Sequence, residues 1–438
     1  MDEKIIIGSG LSGPLLSILL TQENYNVSLF EKRPDIRKNM FFSGRSINLA
    51  LSHRGIKALQ KANIFDEIIK ELIPMKGRLI HGVSGDTHFH PYSINKSEYI
   101  NSISRNKLNQ ILLNKAEESG KVKIYFEHSL SKIQNNELIF ENEKNYKINN
   151  NIVFGADGYN SVVRSYIDNQ FNEKTIIEPL GHSYKELSIS PSINGDFKLD
   201  SNVLHIWPRD EFMLIALPNT DGSFTCTLFL PSKGKLSFES LKTISVVRDF
   251  FKKYFSDVID LIDDFPYSFM KNPTGALGSI KSKNWNLNNK FCLIGDSAHA
   301  IVPFFGQGMN AAFEDCTVLM DYFNKFSDKW ESIIPKFCLN RMVDSQAISK
   351  MALDNYKEMR NSVSQNKYKI RKKISDILHL NFSNYFIPKY NMVSFTSIPY
   401  SKVYNRSKIQ DEILDQLEDD FSIKRAKELI YNRLTPLK

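Results

Sequence analysis

Cysteine is scarce in this chain: four among 438 residues, at Cys226, Cys292, Cys316 and Cys338, each tens of positions from the next. That spacing contains no CxxC pair, which excludes a disulfide-stapled scaffold and a thiolate metal site and predicts a reduced compartment. Long hydrophobic runs are also missing. No window approaches the ~18–20 apolar residues that a membrane-spanning helix needs, and the stretch from Ser401 to Lys438 carries charges throughout. The apolar run at the start reaches glycine by position 8, too early for a cleaved signal sequence. A soluble, cytoplasmic protein without a membrane anchor is predicted. Neither sign of charge dominates: 57 Lys and Arg against 49 Asp and Glu leave +8, and no basic stripe alternates with aromatics, which argues against a nucleic-acid partner. A mild positive balance suits an anionic small ligand. No internal repeat or low-complexity linker interrupts the chain. Apolar residues are abundant, at 42% with 30 Phe and 18 Tyr, and at this length they suffice for at least two lobes.

The first motif follows at once. Ile5–Ile7 is a β-branched run, Gly8-Ser9-Gly10-Leu11-Ser12-Gly13 is a tight turn, and an apolar helical pattern continues through Leu20. A second apolar stretch, Val27 to Phe30, ends in Glu31, 21 positions after Gly10. Strand, glycine turn, helix and distal acid make up the dinucleotide fingerprint. Gly8 makes the turn, Gly10 lets backbone approach a pyrophosphate, Gly13 packs helix on strand, and the acid can accept ribose hydroxyls.

Two further strand-end turns narrow the dinucleotide. Phe154-Gly155-Ala156-Asp157-Gly158 runs into a segment holding Ser161, Val162 and Arg164, and Phe291–Ile294 ends in Gly295-Asp296, 139 positions after Asp157. The second of these puts a carboxylate where a ribityl chain can donate to it. Each pair alone reads as an ordinary turn; their order is the signal. Arg164 reads equally well as a solvated surface charge, and His299 as a structural histidine beside an Ala-rich helix start. Gly306-Gln307-Gly308-Met309-Asn310 precedes a helix and leaves backbone N–H groups bare, which suits the edge of an electron-rich ring.

An N-terminal GxGxxG, a middle Asp-Gly and a late Gly-Asp together resemble the flavoprotein aromatic hydroxylases of the p-hydroxybenzoate hydroxylase type. Within that group, the string Gly44-Arg45-Ser46-Ile47-Asn48-Leu49-Ala50-Leu51-Ser52-His53-Arg54-Gly55 resembles the kynurenine 3-monooxygenase family. So do His205-Ile206-Trp207-Pro208-Arg209, Phe224 to Phe229, the VPFFGQGMNA stretch and NYKEMR. The similarity runs from about residue 4 to about residue 400. It implies a monooxygenase that uses FAD, with NADPH and O2 as co-substrates, to hydroxylate L-kynurenine at its 3-position in tryptophan degradation. The cofactor then carries the chemistry, and no protein residue is expected as a catalytic acid, base or nucleophile, nor any metal.

The resemblance also implies site residues. Arg78 and Tyr92 match the pair that holds the amino-acid carboxylate, and Asn355 and Tyr390, 35 positions apart, match the other substrate contacts. For FAD it points to Ser12, Phe30, Glu31, Lys32, Arg33, Ala50, Arg105, Leu130, Val162, Asp296, Met309 and Asn310, which join Gly8, Gly10, Gly13 and Asp157. Val162 has no polar side-chain atom, so a contact there would use backbone. An arginine fork suits a carboxylate independently of any family, because its planar guanidinium pairs bidentately, and Phe229, Pro303 and Phe304 suit as apolar walls for an aromatic ring.

The expected architecture is α/β: a Rossmann-like FAD-binding domain (1–72, 100–175 and 286–340) interleaved with a mixed-sheet substrate domain (73–99 and 176–285), plus a helical C-terminal region (341–438) in which Ile409 to Leu429 shows apolar spacing among charges. With no second GxGxxG, NADPH is expected to dock without a domain of its own. Two other readings stay open. A related flavin hydroxylase acting on another aromatic acid would share the three FAD motifs, and a non-catalytic FAD-binding protein would show no substrate-stimulated NADPH oxidation.

Overall fold

Six short strands make the first sheet, in the order Asn286–Leu287, Phe291–Leu293, Ile152–Gly155, Glu3–Ile7, Asn26–Phe30, Val122–Tyr125. All neighbours pair in parallel except the outermost Asn286–Leu287. Continuous apolar runs such as Ile5 to Ile7 are what a parallel sheet covered on both faces demands, and Ile5 and Ile6 are wholly buried. The computed structural model describes residues 3–38, 48–142, 144–361 and 366–437; Gly44 to Ile47 of the family-like string lie outside them.

The chain alternates between two compact units: the first comprises residues up to Ile73, Asn101–Gly181 and Ala276–Gln346, the second Pro74–Ile100, His182–Gly275 and Ala347 onward. In the first unit the helix Ser12–Gln22 follows strand Glu3–Ile7 and is buried from Gly13 to Thr21. Arg105–Glu118 and Gly308–Phe326 are further helices of this unit. Its core joins Leu15, Leu19, Phe154, Ile167, Leu293, Phe313 and Phe337.

The second unit is built on a mixed sheet, six of whose strands run Ile176–Ile189, Phe224–Pro231, Phe212–Pro218, Val203–Arg209, Gly77–His81, Thr87–Pro91. Pairing is antiparallel except between Val203–Arg209 and Gly77–His81. One cluster here gathers Trp207, Leu214, Phe224 and Leu228 from the strands with Val247, Phe251 and Phe255 from the helix Ile244–Tyr254 and the segment after it. A separate core, with Leu378, Phe386, Ile413, Leu417 and Ile430, holds the C-terminal helices together. The apolar spacing over Ile409 to Leu429 is shared by two helices. Tyr400–Leu417 and Ile423–Arg433 are split where Ser422 caps the second, its hydroxyl accepting the Arg425 N–H, as serine at a helix start does. Among the described residues no helix is long and apolar enough to cross a membrane.

Candidate functional site

The parallel register gathers the scattered motifs of the first unit. Ile7 pairs with both Phe30 and Gly155, and Gly155 pairs with Leu293. The residues just beyond those strand ends are Gly8, Glu31, Ala156-Asp157 and Gly295-Asp296, so all four turns leave the carboxyl edge of one sheet. Strand Glu3–Ile7 sits between neighbours reached in opposite directions, and beside such a switch point an open α/β sheet leaves its ligand crevice.

The three glycines of the fingerprint divide their tasks visibly. Gly8 has φ +102°, and a Cβ there would lie 2.4 Å from the Ala156 carbonyl oxygen; at Gly13 it would lie 2.0 Å from the Gly8 oxygen. Those two are required by the protein's own backbone. At Gly10 a Cβ would meet nothing within 4 Å, so its bareness is not needed by the fold and opens the loop to a ligand. Asn109, from the helix Arg105–Glu118, steadies this loop by donating to the Ser9 carbonyl at 3.0 Å and to that of Gly10.

Glu31 is buried, with one carboxylate oxygen accepting the Ser9 N–H (2.8 Å) and hydroxyl (3.1 Å) and the other the Arg33 N–H (3.0 Å) and Nε (2.9 Å). Burial works to raise its carboxyl, but the Arg33 charge and the Arg33 and Ser9 hydrogen bonds outweigh it, and it is held below the usual range. Lys32 and Arg33 are themselves exposed. Asp157 accepts the Val162 and Val163 N–H groups at 2.7 and 3.2 Å, tying down the start of the helix Val162–Gln170. The Val162 N–H is therefore already taken. The other Asp157 oxygen is buried without a hydrogen-bond partner, and burial pushes this carboxyl up.

Asn310 is wholly buried and fully used: it accepts the Ser52 N–H at 2.9 Å and donates to the Ala50 and Gly306 carbonyls at 2.8 Å. It thus ties Ala50 to the glycine turn before the helix Gly308–Phe326. Phe30 and Leu130 are core side chains, Phe30 stacked on Tyr125 at 4.7 Å. Ser12 and Met309 are half-buried, while Arg105 and Asp296 are exposed at helix starts. Arg164 is not the surface charge that its sequence allowed. It is buried and donates to the Ser297 and Tyr159 carbonyls at 2.8 and 2.7 Å.

Below the Gly295 turn lies a buried ion network that the sequence did not reveal. Asp315 accepts the Gly295 N–H (2.9 Å), pairs with His299 Nε2 (2.6 Å) and receives Arg341 Nε (2.8 Å). Arg341 also meets Glu314 at 3.0 Å and Asp344 at 3.3 Å, and Glu314 pairs with Arg54. Burial alone would raise the Asp315 carboxyl, but His299 and Arg341 bring it below the usual range. His299, stacked on Trp285 at 5.1 Å, is accounted for by this network and needs no catalytic role.

In the second unit Arg78, Tyr92 and Tyr390 come together from three segments. Arg78 lies on the strand Gly77–His81, Tyr92 just past Thr87–Pro91, and Tyr390 in the first turn of the helix Lys389–Phe395. The tyrosine rings stack at 5.2 Å and 9°, and the Arg78 guanidinium lies 5.5 Å from the Tyr92 centroid and 4.8 Å from that of Tyr390. Such a cation over ring faces is attractive by about 0.5–2 kcal/mol, and it holds the fork in one orientation. Burial pushes the Tyr92 phenol well above its ordinary range, Tyr390 adding to the shift and Arg78 opposing it; Tyr390 is likewise raised by burial against Arg78. Both stay protonated donors at neutral pH. The Tyr92 hydroxyl is buried and meets no partner in hydrogen-bond geometry.

Asn355 is buried on the helix Trp330–Asn361, where the adjacent Tyr356 packs edge-on against His182 at 5.4 Å. Phe229 is buried in its strand with Tyr184 as ring neighbour at 6.5 Å. Pro303 and Phe304 belong to the first unit, in the turn Pro303–Phe305, with Pro303 exposed and Phe304 buried.

A family model described as an FAD binding domain matches residues 3–216. Among solved structures, 2-methyl-3-hydroxypyridine-5-carboxylic acid oxygenase superposes with a TM-score of 0.68 at 16% identity, over 83% of this chain and 94% of that one. The tetracycline destructase Tet(51) gives 0.62 at 16% identity, over 91% and 99%; at this identity the likeness concerns the fold. Sequence relatives are nearer. The kynurenine 3-monooxygenase of Cytophaga hutchinsonii is 44% identical over 95% of this chain and 94% of its own, and that of Myxococcus xanthus 40% over 99% and 96%. The Sus scrofa enzyme of the same name is 41% identical over 94% of this chain and 87% of its own. With identity at this level along the whole length, and the FAD-type glycine loop on the sheet that such a domain requires, the chain belongs to the kynurenine 3-monooxygenase family.

Proposed function

We propose that this chain is an FAD-dependent monooxygenase that hydroxylates L-kynurenine at its 3-position, with NADPH and O2 as co-substrates, as a step in tryptophan breakdown. The observation that carries the reading is near-full-length kinship with kynurenine 3-monooxygenases, joined to an arginine fork laid across two stacked tyrosines. FAD, when bound, supplies the redox chemistry, accepting reducing equivalents from NADPH and activating O2.

The residues present fit that cofactor. The open face of Gly10 is a cradle that a side chain would fill, and the bare oxygen of Asp157 is an acceptor in need of a donor. Gly8 and Gly13 would shape the pyrophosphate loop, and Ser12 would cap it from the helix start. Glu31, with Phe30, Lys32 and Arg33 beside it, would take the ribose. Arg105, Leu130, Val162, Asp296, Met309 and Asn310 would border the remainder, with Asn310 and the Val162 N–H acting through the backbone they fix. The FAD-binding domain would comprise 1–72, 100–175 and 286–340, the substrate domain 73–99 and 176–285, and 341–438 the helical remainder.

On the substrate, Arg78 would pair with the carboxylate through two parallel N–H bonds. Tyr92 and Tyr390, kept neutral by burial, would donate their hydroxyl protons to the same group, and Asn355 would supply an amide. Phe229, in the same unit, would stand as an apolar wall for the aminophenyl ring and help keep water from the reacting carbon. That carbon is activated by the ortho amino group, so no protein base is needed. The purified protein should show a flavin spectrum, and its NADPH oxidation should accelerate with L-kynurenine and yield 3-hydroxykynurenine. Stimulation by another aromatic acid instead, or by none, would replace the reading.

A further inference from the structure

The second unit also has an open cavity of about 410 Å³. His90, Ile94, Lys369, Lys373, Ile377 and Leu380 line it, with the Lys372–Asp376 pair at its edge. The helix that supplies most of this lining, Asn366–Asn381, carries five Lys or Arg among residues 367–373. Its two sides treat their charge differently. Arg371 faces Asp411, Asp415 and Glu418 at 2.9, 2.5 and 2.9 Å, three carboxylates for one guanidinium. On the cavity side, no carboxylate among the described residues pairs with Lys369 or Lys373. Those two stand four apart, on one face of the helix, where like charges repel and destabilise. His90 adds no charge: burial, with Arg78, His88, Lys372 and Lys369 around it, keeps its imidazole below its ordinary pKa. It can still donate or accept a hydrogen bond. Exposed aliphatic side chains share the lining with these cations, Leu380 at 73% and Ile94 at 41%.

Two ammonium groups with no carboxylate partner among the described residues, beside aliphatic side chains, fit an anion of more than one charge attached to a flat apolar body. A dianion balances both ammonium charges, which a single carboxylate does not. We propose that this cavity holds the adenosine 2′-phosphate end of NADPH, the phosphate between Lys369 and Lys373 and the adenine on Ile94, Ile377 and Leu380. The inference rests on the hydroxylase reading only in naming NADPH as the co-substrate. It supplies what a chain with one dinucleotide fingerprint otherwise lacks, a basis for preferring NADPH to NADH.

The test uses the full FAD-loaded chain and adenosine 2′,5′-bisphosphate as probe. Calorimetry should show binding that weakens about tenfold in Lys369→Gln/Lys373→Gln, since a charged hydrogen bond at a partly open site contributes at the lower end of its range. 5′-AMP, which differs from the probe only in lacking the 2′-phosphate, should bind weakly to both proteins. In turnover, the same variant should raise KM for NADPH by a similar factor and leave KM for NADH unchanged. Flavin content and melting temperature, read first, show that the exposed substitutions leave the fold intact, and Lys369→Glu/Lys373→Glu should enlarge the loss. Unchanged probe binding in both variants would overturn the proposal. So would a variant in which KM rises for the aromatic substrate and not for NADPH, which would make the cavity a substrate anteroom. A failure of the hydroxylase reading looks different: the wild type would show no substrate-stimulated NADPH oxidation, whatever the probe does.

Discussion

Arg341 in the first unit and Arg78 in the second are both held by their surroundings, and in opposite ways. Arg341 is 2% exposed and enclosed by Asp315, Glu314 and Asp344; Arg78 is half-buried, with its guanidinium across two phenol rings. Carboxylates neutralise the first, so it can only brace what it touches, here the Gly295 turn through Asp315. Aromatic faces, which carry no opposite charge, orient the second, and a planar fork held in that way suits a carboxylate. An arginine's function is decided by what its partners leave it able to do.

The comparison breaks first at Asp315. Replacing it with Ala takes from Arg341 one of its three carboxylates and from His299 and the Gly295 N–H their acceptor in a dry core, and removal of one member of a buried pair costs about 3–5 kcal/mol. Urea unfolding should show that loss for Asp315→Ala, whereas Arg78→Met should unfold near the wild-type midpoint. Equal destabilisation would erase the distinction drawn here.

A smaller effect, in the second unit, depends on pH. His205 is 1% exposed, its Nε2 donates to the Asp200 carbonyl at 2.8 Å, and its Nδ1 therefore accepts from His81 Nε2 at 2.9 Å. Burial lowers its pKa from 6.5 to about 4. The unfolded chain then binds the extra proton first, so stability is intact above pH 6.5 and falls as pH drops through the window toward about 4. At one pKa unit per 1.36 kcal/mol the loss is on the order of 3 kcal/mol. His205→Asn should flatten that slope between pH 7 and pH 4.5, measured as unfolding free energy against pH. A variant as acid-sensitive as the wild type would assign the slope elsewhere.

The two units were also unequally legible. The glycine loop, the strand before it and Glu31 lie within 29 residues, and their spacing reflects local turn chemistry, so sequence alone located them. Asn109, which ties that loop down, is 99 positions from Gly10, and an Asn inside a helix carries no mark of its partner. Asp315 was hidden the same way: its ligands Gly295, His299 and Arg341 are neighbours only after a strand end, a turn and two helices fold together. Tyr390 follows Tyr92 by 298 positions, and only resemblance, not spacing, connected them. Arg164 was ambiguous because burial of a charge depends on which carbonyls reach it, and those belong to Tyr159 and Ser297.

The central claim is that Arg78 pairs with the substrate carboxylate, and affinity measured on Arg78→Met tests it most directly. The change keeps the apolar stem and removes the guanidinium. L-Kynurenine should bind the FAD-loaded variant about ten- to a hundredfold more weakly, the 1.5–3 kcal/mol of a charge-assisted pair. An analogue without the carboxylate should bind the wild type weakly and lose little more in the variant, closing a double-mutant cycle between residue and ligand group. Equal losses for kynurenine and the analogue would mean that Arg78 acts through structure, as Arg341 does, and the claim would fail.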